Sequence, residues 1–315
     1  MILILSEERD IATDSAMEWL NHFKQKVIRI NCEDVDVIKY FAIGSKSLKI
    51  QFRQSELNIA AIKSTWFRRG QFVFSSNFSA VSNKDNNVKA QVLKQIQNEV
   101  TDFSDFVYKL LLEKKCISTP FQYNTNKLES LYLANKVGLE IPYTYIVNNK
   151  NDLTAFSGKK EQLITKSISN NHRLEINNKV GSIGTTTAKH IPQKFFFSLF
   201  QSKIERYCEI RVFFIKDHFF PMAIFVDKRI VDGRALLNQF GEARMVPFKL
   251  PVSIINKLKK LCKLKNLNTG SIDLIFTAER KFIFLEINPV GQYDYLECYT
   301  NYPISRTIAK LLMHD

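Results

Sequence analysis

The chain has 315 residues, 45% of them apolar, and carries a formal net charge of +14, which suits a folded protein of two or three modules whose partners are anionic. The opening run Met1-Ile2-Leu3-Ile4-Leu5 is too short for a signal-peptide core and ends in the charged Glu7-Glu8-Arg9-Asp10; no later stretch is long and apolar enough to cross a bilayer, so a cytoplasmic protein without a membrane partner is expected. Five scattered cysteines with no CxxC pair exclude a disulfide framework and a zinc site.

In chain order, Met1 to Leu5 predicts a buried strand, Asp14 to Lys26 a helix and Val27 to Ile30 a second strand, the opening of a β-α-β unit. Strands are expected at Leu48 to Phe52 and Ser64 to Arg68, and a long helix at Val88 to Leu112, closing a first α/β module near Pro120. No glycine-rich turn follows the first strand, so a dinucleotide fingerprint is absent. A new module opens with a helix from Lys127 to Gly138, a strand at Tyr143 to Val147 and another at Gln162 to Ser167. The polar segment Ser169 to Asn178 is followed by Gly181 to Thr187, whose small residues read as a flexible loop able to fold over a ligand. A helix is expected near Pro192 to Phe200, then an antiparallel pair, Cys208 to Ile215 and Phe219 to Val226. Val231-Asp232-Gly233-Arg234 has the character of a turn. The lysines of Lys257 to Lys265 interleave with Ile254, Ile255, Leu258, Leu261 and Leu264 at helical spacing, which reads as the solvated face of an amphipathic helix rather than a nucleic-acid patch.

The chemistry is concentrated in Ser271 to Phe276 and Phe282 to Pro289, two alternating flanks of one hairpin. A turn centred on Glu279 and Arg280 places Asp273 opposite Glu286, and the period of two puts Asn288 on the face of Glu286. Facing carboxylates repel unless a cation lies between them; two carboxylates and an amide oxygen suit Mg²⁺ shared with phosphate oxygens. Glu209 and Arg211 share a second strand face, an acid and a guanidinium able to serve a ribose and a phosphate or simply to pair with each other's neighbours. Lys166 ends the apolar run Leu163-Ile164-Thr165, and Lys127 begins a helix; alone, each reads equally as a solvated side chain.

Taken together, Lys127, Leu139-Glu140-Ile141-Pro142-Tyr143-Thr144, Lys166, Gln201 to Ile204, Glu209-Ile210-Arg211, Asp273 and Glu286-Ile287-Asn288-Pro289-Val290-Gly291-Gln292-Tyr293 resemble an ATP-grasp ligase. With Ser64-Thr65-Trp66-Phe67-Arg68-Arg69, the pattern is most similar to the peptide maturases of graspetide (microviridin-type) pathways, particularly the grasp-with-spasm maturases. The resemblance covers nearly the whole chain. It implies an α/β chain, α+β in its C-terminal part: a pre-ATP-grasp α/β domain at 1–120, a central ATP-grasp subdomain at 121–200 and a C-terminal subdomain with the metal hairpin at 201–315.

The same resemblance implies residue roles. Lys127 and Lys166 would contact ATP phosphates, Gln201, Lys203 and Ile204 would hold the base, and Glu209 the ribose. Asp273, Glu286 and Asn288 would hold Mg²⁺, Arg211 would face the transferred phosphate, Arg234 the reacting carboxylate or γ-phosphate, and Thr185 to Thr187 would form a lid. The segment Ser167-Ile168-Ser169-Asn170 departs from the pattern in lacking glycine. The implied activity is ATP-dependent macrocyclisation of a ribosomal precursor peptide, with a leader and an acidic core, by a homodimer that needs no nucleic acid. An ATP-grasp ligase acting on protein termini or small molecules shares these residues, and a non-catalytic basic binding protein has no use for the metal set.

Overall fold

Unbroken hydrophobicity over Ile2 to Leu5 demands burial on both faces, and in the computed structural model this run is β1 (Ile2–Ser6), every residue of it buried. The structure describes residues 1–34, 49–52, 55–73, 86–121, 125–157, 162–169, 173–176, 179–182, 184–226 and 243–313. The chain divides into two units, Met1–Tyr123 with Pro303–Asp315, and Asn124–Tyr302.

In the first unit, α1 (Ile11–His22) follows β1 and leads to β2 (Val27–Asn31), which lies parallel to β1 as a β-α-β unit requires. The helix begins and ends a turn earlier than the sequence suggests. An antiparallel hairpin, β3 (Lys49–Phe52) and β4 (Ser55–Asn58), precedes β5 (Ser64–Phe67); after α2 (Asn86–Leu112) comes β6 (Lys115–Ile117). The parallel sheet runs β2-β1-β5-β6. Leu3, Leu5 and Phe67 share one core with Val107, Tyr108 and Leu111 of α2.

Beyond the ends of β1 and β5 lies a closed polar cluster. Arg68 Nε donates to Asp10 Oδ2 at 3.0 Å, and Thr13 Oγ1 donates to the same oxygen at 2.7 Å while lying 2.9 Å from Ser6 Oγ. Burial alone would raise the Asp10 pKa; the charge of Arg68, the Thr13 hydroxyl and Arg69 together outweigh it and hold the carboxyl below its ordinary value.

The second unit opens with α3 (Lys127–Lys136), started by Asn126, whose side chain accepts from the backbone N–H of Leu128 and Glu129. Then come β7 (Thr144–Asn149), α4 (Lys150–Ser157), β8 (Leu163–Lys166), β9 (Arg173–Ile176), β10 (Lys179–Ser182), β11 (Thr186–Thr187) and β12 (Lys194–Ser202). Two expectations are corrected here. The stretch near Pro192 to Phe200 is not a helix but β12, paired on both sides; Phe195, Phe196 and Phe197 are β-prone, and the ladder with β7 and β8 decides the matter. Gly181 to Thr187 is not simply a loop: β10, which takes in Gly181 and Ser182, pairs with β9 as a hairpin, and Thr186 and Thr187 are fixed in the sheet opposite Thr165 and Ile164. The small sheet runs β11-β8-β12-β7.

A larger sheet follows, built from β13 (Cys208–Ile215), β14 (His218–Phe225), β15 (Arg244–Pro247), β16 (Thr269–Phe276) and β17 (Phe282–Asn288), in the order β15-β14-β13-β16-β17. Alternation gives it two unlike faces. Ile210, Val212, Phe214, Ile272, Leu274 and Ile287 pack against Leu131 and Ala134 of α3 and against Leu258, Leu261 and Cys262 of α5 (Val252–Leu264). The other face carries the polar residues. After α6 (Asp294–Thr300), α7 (Ile304–Met313) belongs to the first unit, where Ser64 Oγ donates to Leu312 O at 2.8 Å. No helix among the described residues is long and apolar enough to cross a membrane.

Candidate active site

On the polar face of the large sheet, Arg211 stands opposite Asp273, and Asp273 opposite Glu286, so three charged side chains form one row across β13, β16 and β17. Asn288, two positions beyond Glu286, stands opposite Ser271. The hairpin tip is centred half a residue earlier than the sequence suggests, since Phe276 pairs with Phe282 and Leu274 with Phe284. An irregularity between Asp273 and Leu274 restores the expected Asp273–Glu286 pairing.

Arg211 Nη1 donates to both carboxylate oxygens of Asp273, at 2.9 and 3.1 Å. The Asn288 amide nitrogen donates to Glu286 Oε1 at 3.0 Å. Asp273, Glu286 and Asn288 are half-buried among fully buried neighbours. Two carboxylates and an amide therefore stand side by side on one face, a set of hard oxygen donors of the kind that fits a divalent cation. Glu209, on the same face of β13, is ion-paired with Arg206. Burial, assisted by the charge of Glu209, pushes the Cys208 thiol up to about 11, so no thiolate nucleophile stands beside this row at neutral pH.

The small sheet supplies the other half. Leu153, Leu163 and Phe200 form a core with Tyr145 and Val147, and alternation turns Ile146, Leu199, Ile164, Lys166 and Gln201 to the opposite face. Ile146, Leu199 and Lys166 form one row; Thr144, Gln201 and Ile164 form the next. Lys127 Nζ donates to the carbonyl oxygens of Ser167 (3.2 Å) and Ser169 (3.0 Å), which ties the start of α3 to the segment leaving Lys166. Lys127 is thus tied to the residues that follow Lys166, which neither position announces by itself.

Gln201 is fully buried; its Nε2 donates to Thr144 Oγ1 at 2.9 Å, and its Oε1 has no hydrogen-bond partner among the described residues. An orphaned acceptor of this kind costs about 1–3 kcal/mol and fits a site completed by a bound group. Lys203 N donates to Gln162 O at 2.8 Å, and the exposed Lys203 and half-buried Ile204 begin the link from β12 to β13. Arg234, like Asp232, lies outside the described residues. Sequence reasoning missed Thr144 as the partner of Gln201, 57 positions away, and Tyr295, whose ring lies beside Arg211. Only the nearby Gly291-Gln292-Tyr293 segment hinted at the latter.

No protein-family model matches the sequence, and no curated protein does. The solved structures do. A Chryseobacterium gregarium RiPP-associated ATP-grasp ligase, in complex with ADP and a leader and core peptide, matches with a TM-score of 0.78 at 20% identity, over 99% of this chain and 96% of that one. This chain has the ATP-grasp fold. The macrocyclase MdnC of Microcystis aeruginosa MRC, bound with precursor peptide MdnA, matches with a TM-score of 0.75 at 23% identity, over 100% and 99% of the two chains. The ATP-grasp ligase PsnB, complexed with a phosphomimetic minimal precursor, Mg and ADP, matches with a TM-score of 0.71 at 15% identity, over 99% and 97%. The ATP-grasp architecture therefore accounts for the whole chain, including the first unit.

Proposed function

We propose that this chain is an ATP- and Mg²⁺-dependent ligase that closes rings in a ribosomal precursor peptide. It joins Asp or Glu side chains of the core to Ser or Thr hydroxyls, or to Lys amines, of the same peptide. The observation that carries the reading is the row Arg211–Asp273–Glu286, with Asn288 beside it, on the open face of a sheet in an ATP-grasp fold. The three solved structures of that fold named above hold peptide, and two of them also hold ADP.

In the first step a peptide carboxylate oxygen attacks the γ-phosphorus of ATP; the bond to the bridging oxygen breaks, ADP leaves and an acyl phosphate forms. A hydroxyl or amine then attacks the acyl carbon, loses its proton and expels inorganic phosphate. Lys127 and Lys166 neutralise phosphate charge, Gln201, Lys203 and Ile204 hold the base, and Glu209 meets the ribose. Arg211 steadies the transferred phosphoryl group, and Arg234, by the resemblance, serves the reacting carboxylate or the γ-phosphate. Asp273, Glu286 and Asn288 would hold Mg²⁺, which supplies charge neutralisation on the phosphate oxygens. Positioning and electrostatics suffice, with no covalent protein nucleophile.

The chain would then work as a pre-ATP-grasp domain at 1–120, a central subdomain at 121–200 and a C-terminal subdomain at 201–315, in the cytoplasm, where ATP and precursor coexist, and as a homodimer, which light scattering checks. The deciding experiment incubates a precursor peptide with the protein, ATP and Mg²⁺ and reads its mass. Loss of one water per ring, abolished by Glu286→Gln, is expected. An unchanged peptide with peptide-independent ADP release would instead indicate a small-molecule ligase and sink the macrocyclase reading.

A further inference from the structure

Arg211 is held from two sides. Asp273 takes its Nη1, and the ring of Tyr295 lies under its guanidinium, with Cζ 5.9 Å from the ring centroid, within the range of a cation–π contact. Tyr295 reaches it because the chain beyond Asn288 folds back onto the polar face of the sheet. Gly291 lies so close to β16 that a Cβ there would sit 2.3 Å from Ser271 Oγ. Tyr293 is fully buried, its ring 4.8 Å from that of Phe213. Ser271, Phe213 and Arg211 share one face of the sheet, so Gly291, Tyr293 and Tyr295 form a strap running from the end of β17 to the guanidinium.

We propose that Tyr295 is the positioning residue for Arg211: it keeps the guanidinium on the reaction face when Asp273 turns its charge to a divalent cation. The inference rests on the proposed function and deepens its site. A carboxylate shared between an arginine and a dication holds the arginine less firmly, because part of its charge is neutralised by the second partner. An aromatic ring is indifferent to that change. The planar guanidinium stacks on such a ring in a way that a lysine ammonium cannot reproduce, and phosphoryl transfer is sensitive to where that charge stands.

The test measures MgADP affinity by titration calorimetry, with and without beryllium fluoride as a γ-phosphoryl mimic, in the full chain. Wild type and Tyr295→Phe are expected to bind MgADP more tightly when the mimic is present. Tyr295→Leu is expected to bind MgADP as wild type does but to lose about ten-fold of that gain, the scale of a desolvated cation–π contact. Should Tyr295→Leu not fold, Arg211→Lys removes the stacking from the other side and is expected to lose the gain in the same titration. A gain retained by Tyr295→Leu or Arg211→Lys, lost by Tyr295→Phe, or missing in wild type overturns the inference while leaving nucleotide binding intact. Absence of MgADP binding in wild type overturns the proposed function itself and this inference with it.

Discussion

Arg68–Asp10 in the first unit and Arg211–Asp273 in the second are both arginine–aspartate pairs with donor–acceptor distances near 3 Å, yet their surroundings are opposite. The Arg68 and Asp10 side chains are 3% and 6% exposed, and Asp10 is completed by Thr13, itself bound to Ser6. Arg211 and Asp273 are 13% and 16% exposed and stand in a row with a second carboxylate, Glu286. The first is a buried pair in which Arg68, Arg69 and the Thr13 hydroxyl all serve one carboxylate. The second sets two carboxylates and an amide side by side on one sheet face, the kind of oxygen set that suits a divalent cation. The company a pair keeps separates the two better than noting that an ion pair exists.

The sharpest way to break the comparison is Arg68→Met, which leaves the Asp10 carboxylate buried without its cation. Chemical denaturation is expected to show a loss of about 3–5 kcal/mol. Glu286→Gln should do the reverse, lowering peptide-dependent turnover by about 10²–10³-fold with little change in melting temperature; a large melting shift would make this row structural as well. Gly291→Ala forces a methyl group against Ser271 Oγ and the backbone of Gly270, with an expected cost of about 1–3 kcal/mol in the same denaturation assay. The Asp10 pKa is depressed in the folded state, so its contribution to stability is present above the unfolded carboxylate value and disappears as pH falls through the folded one. Asp10→Asn should therefore flatten the acid limb of the stability–pH curve. Smallest is Lys259→Ala: its pair with Asp217 is 42% and 85% exposed, and less than about 0.5 kcal/mol is expected by thermal melting.

Much of the site was legible because its residues lie on strands, where a period of two fixes which side chains share a face. Asp273, Glu286 and Asn288 could be placed from the hairpin alone, and Glu209 with Arg211 from β13. What was not legible depends on partners far away in the chain. Lys127 is tied to the segment that follows Lys166 only because α3 packs beside β17 while its first residue reaches the exit of β8. The stretch near Pro192 to Phe200 read as helical because its pairing is set by β7 and β8, which no local pattern reveals. Tyr295 was invisible because its role depends on the close approach of Gly291 to β16, two strands' worth of geometry away from its own helix.

The irregular step between β16 and β17 also bears on how such a hairpin can change over time. Continuing the tip register, in which Leu274 faces Phe284, would set Leu285 against Asp273 and replace a carboxylate with a hydrocarbon. One surplus residue in β17 thus insulates the acidic end of the ladder from the phase of the turn, and regularising the ladder with that residue retained would silence the row without altering a single side chain in it.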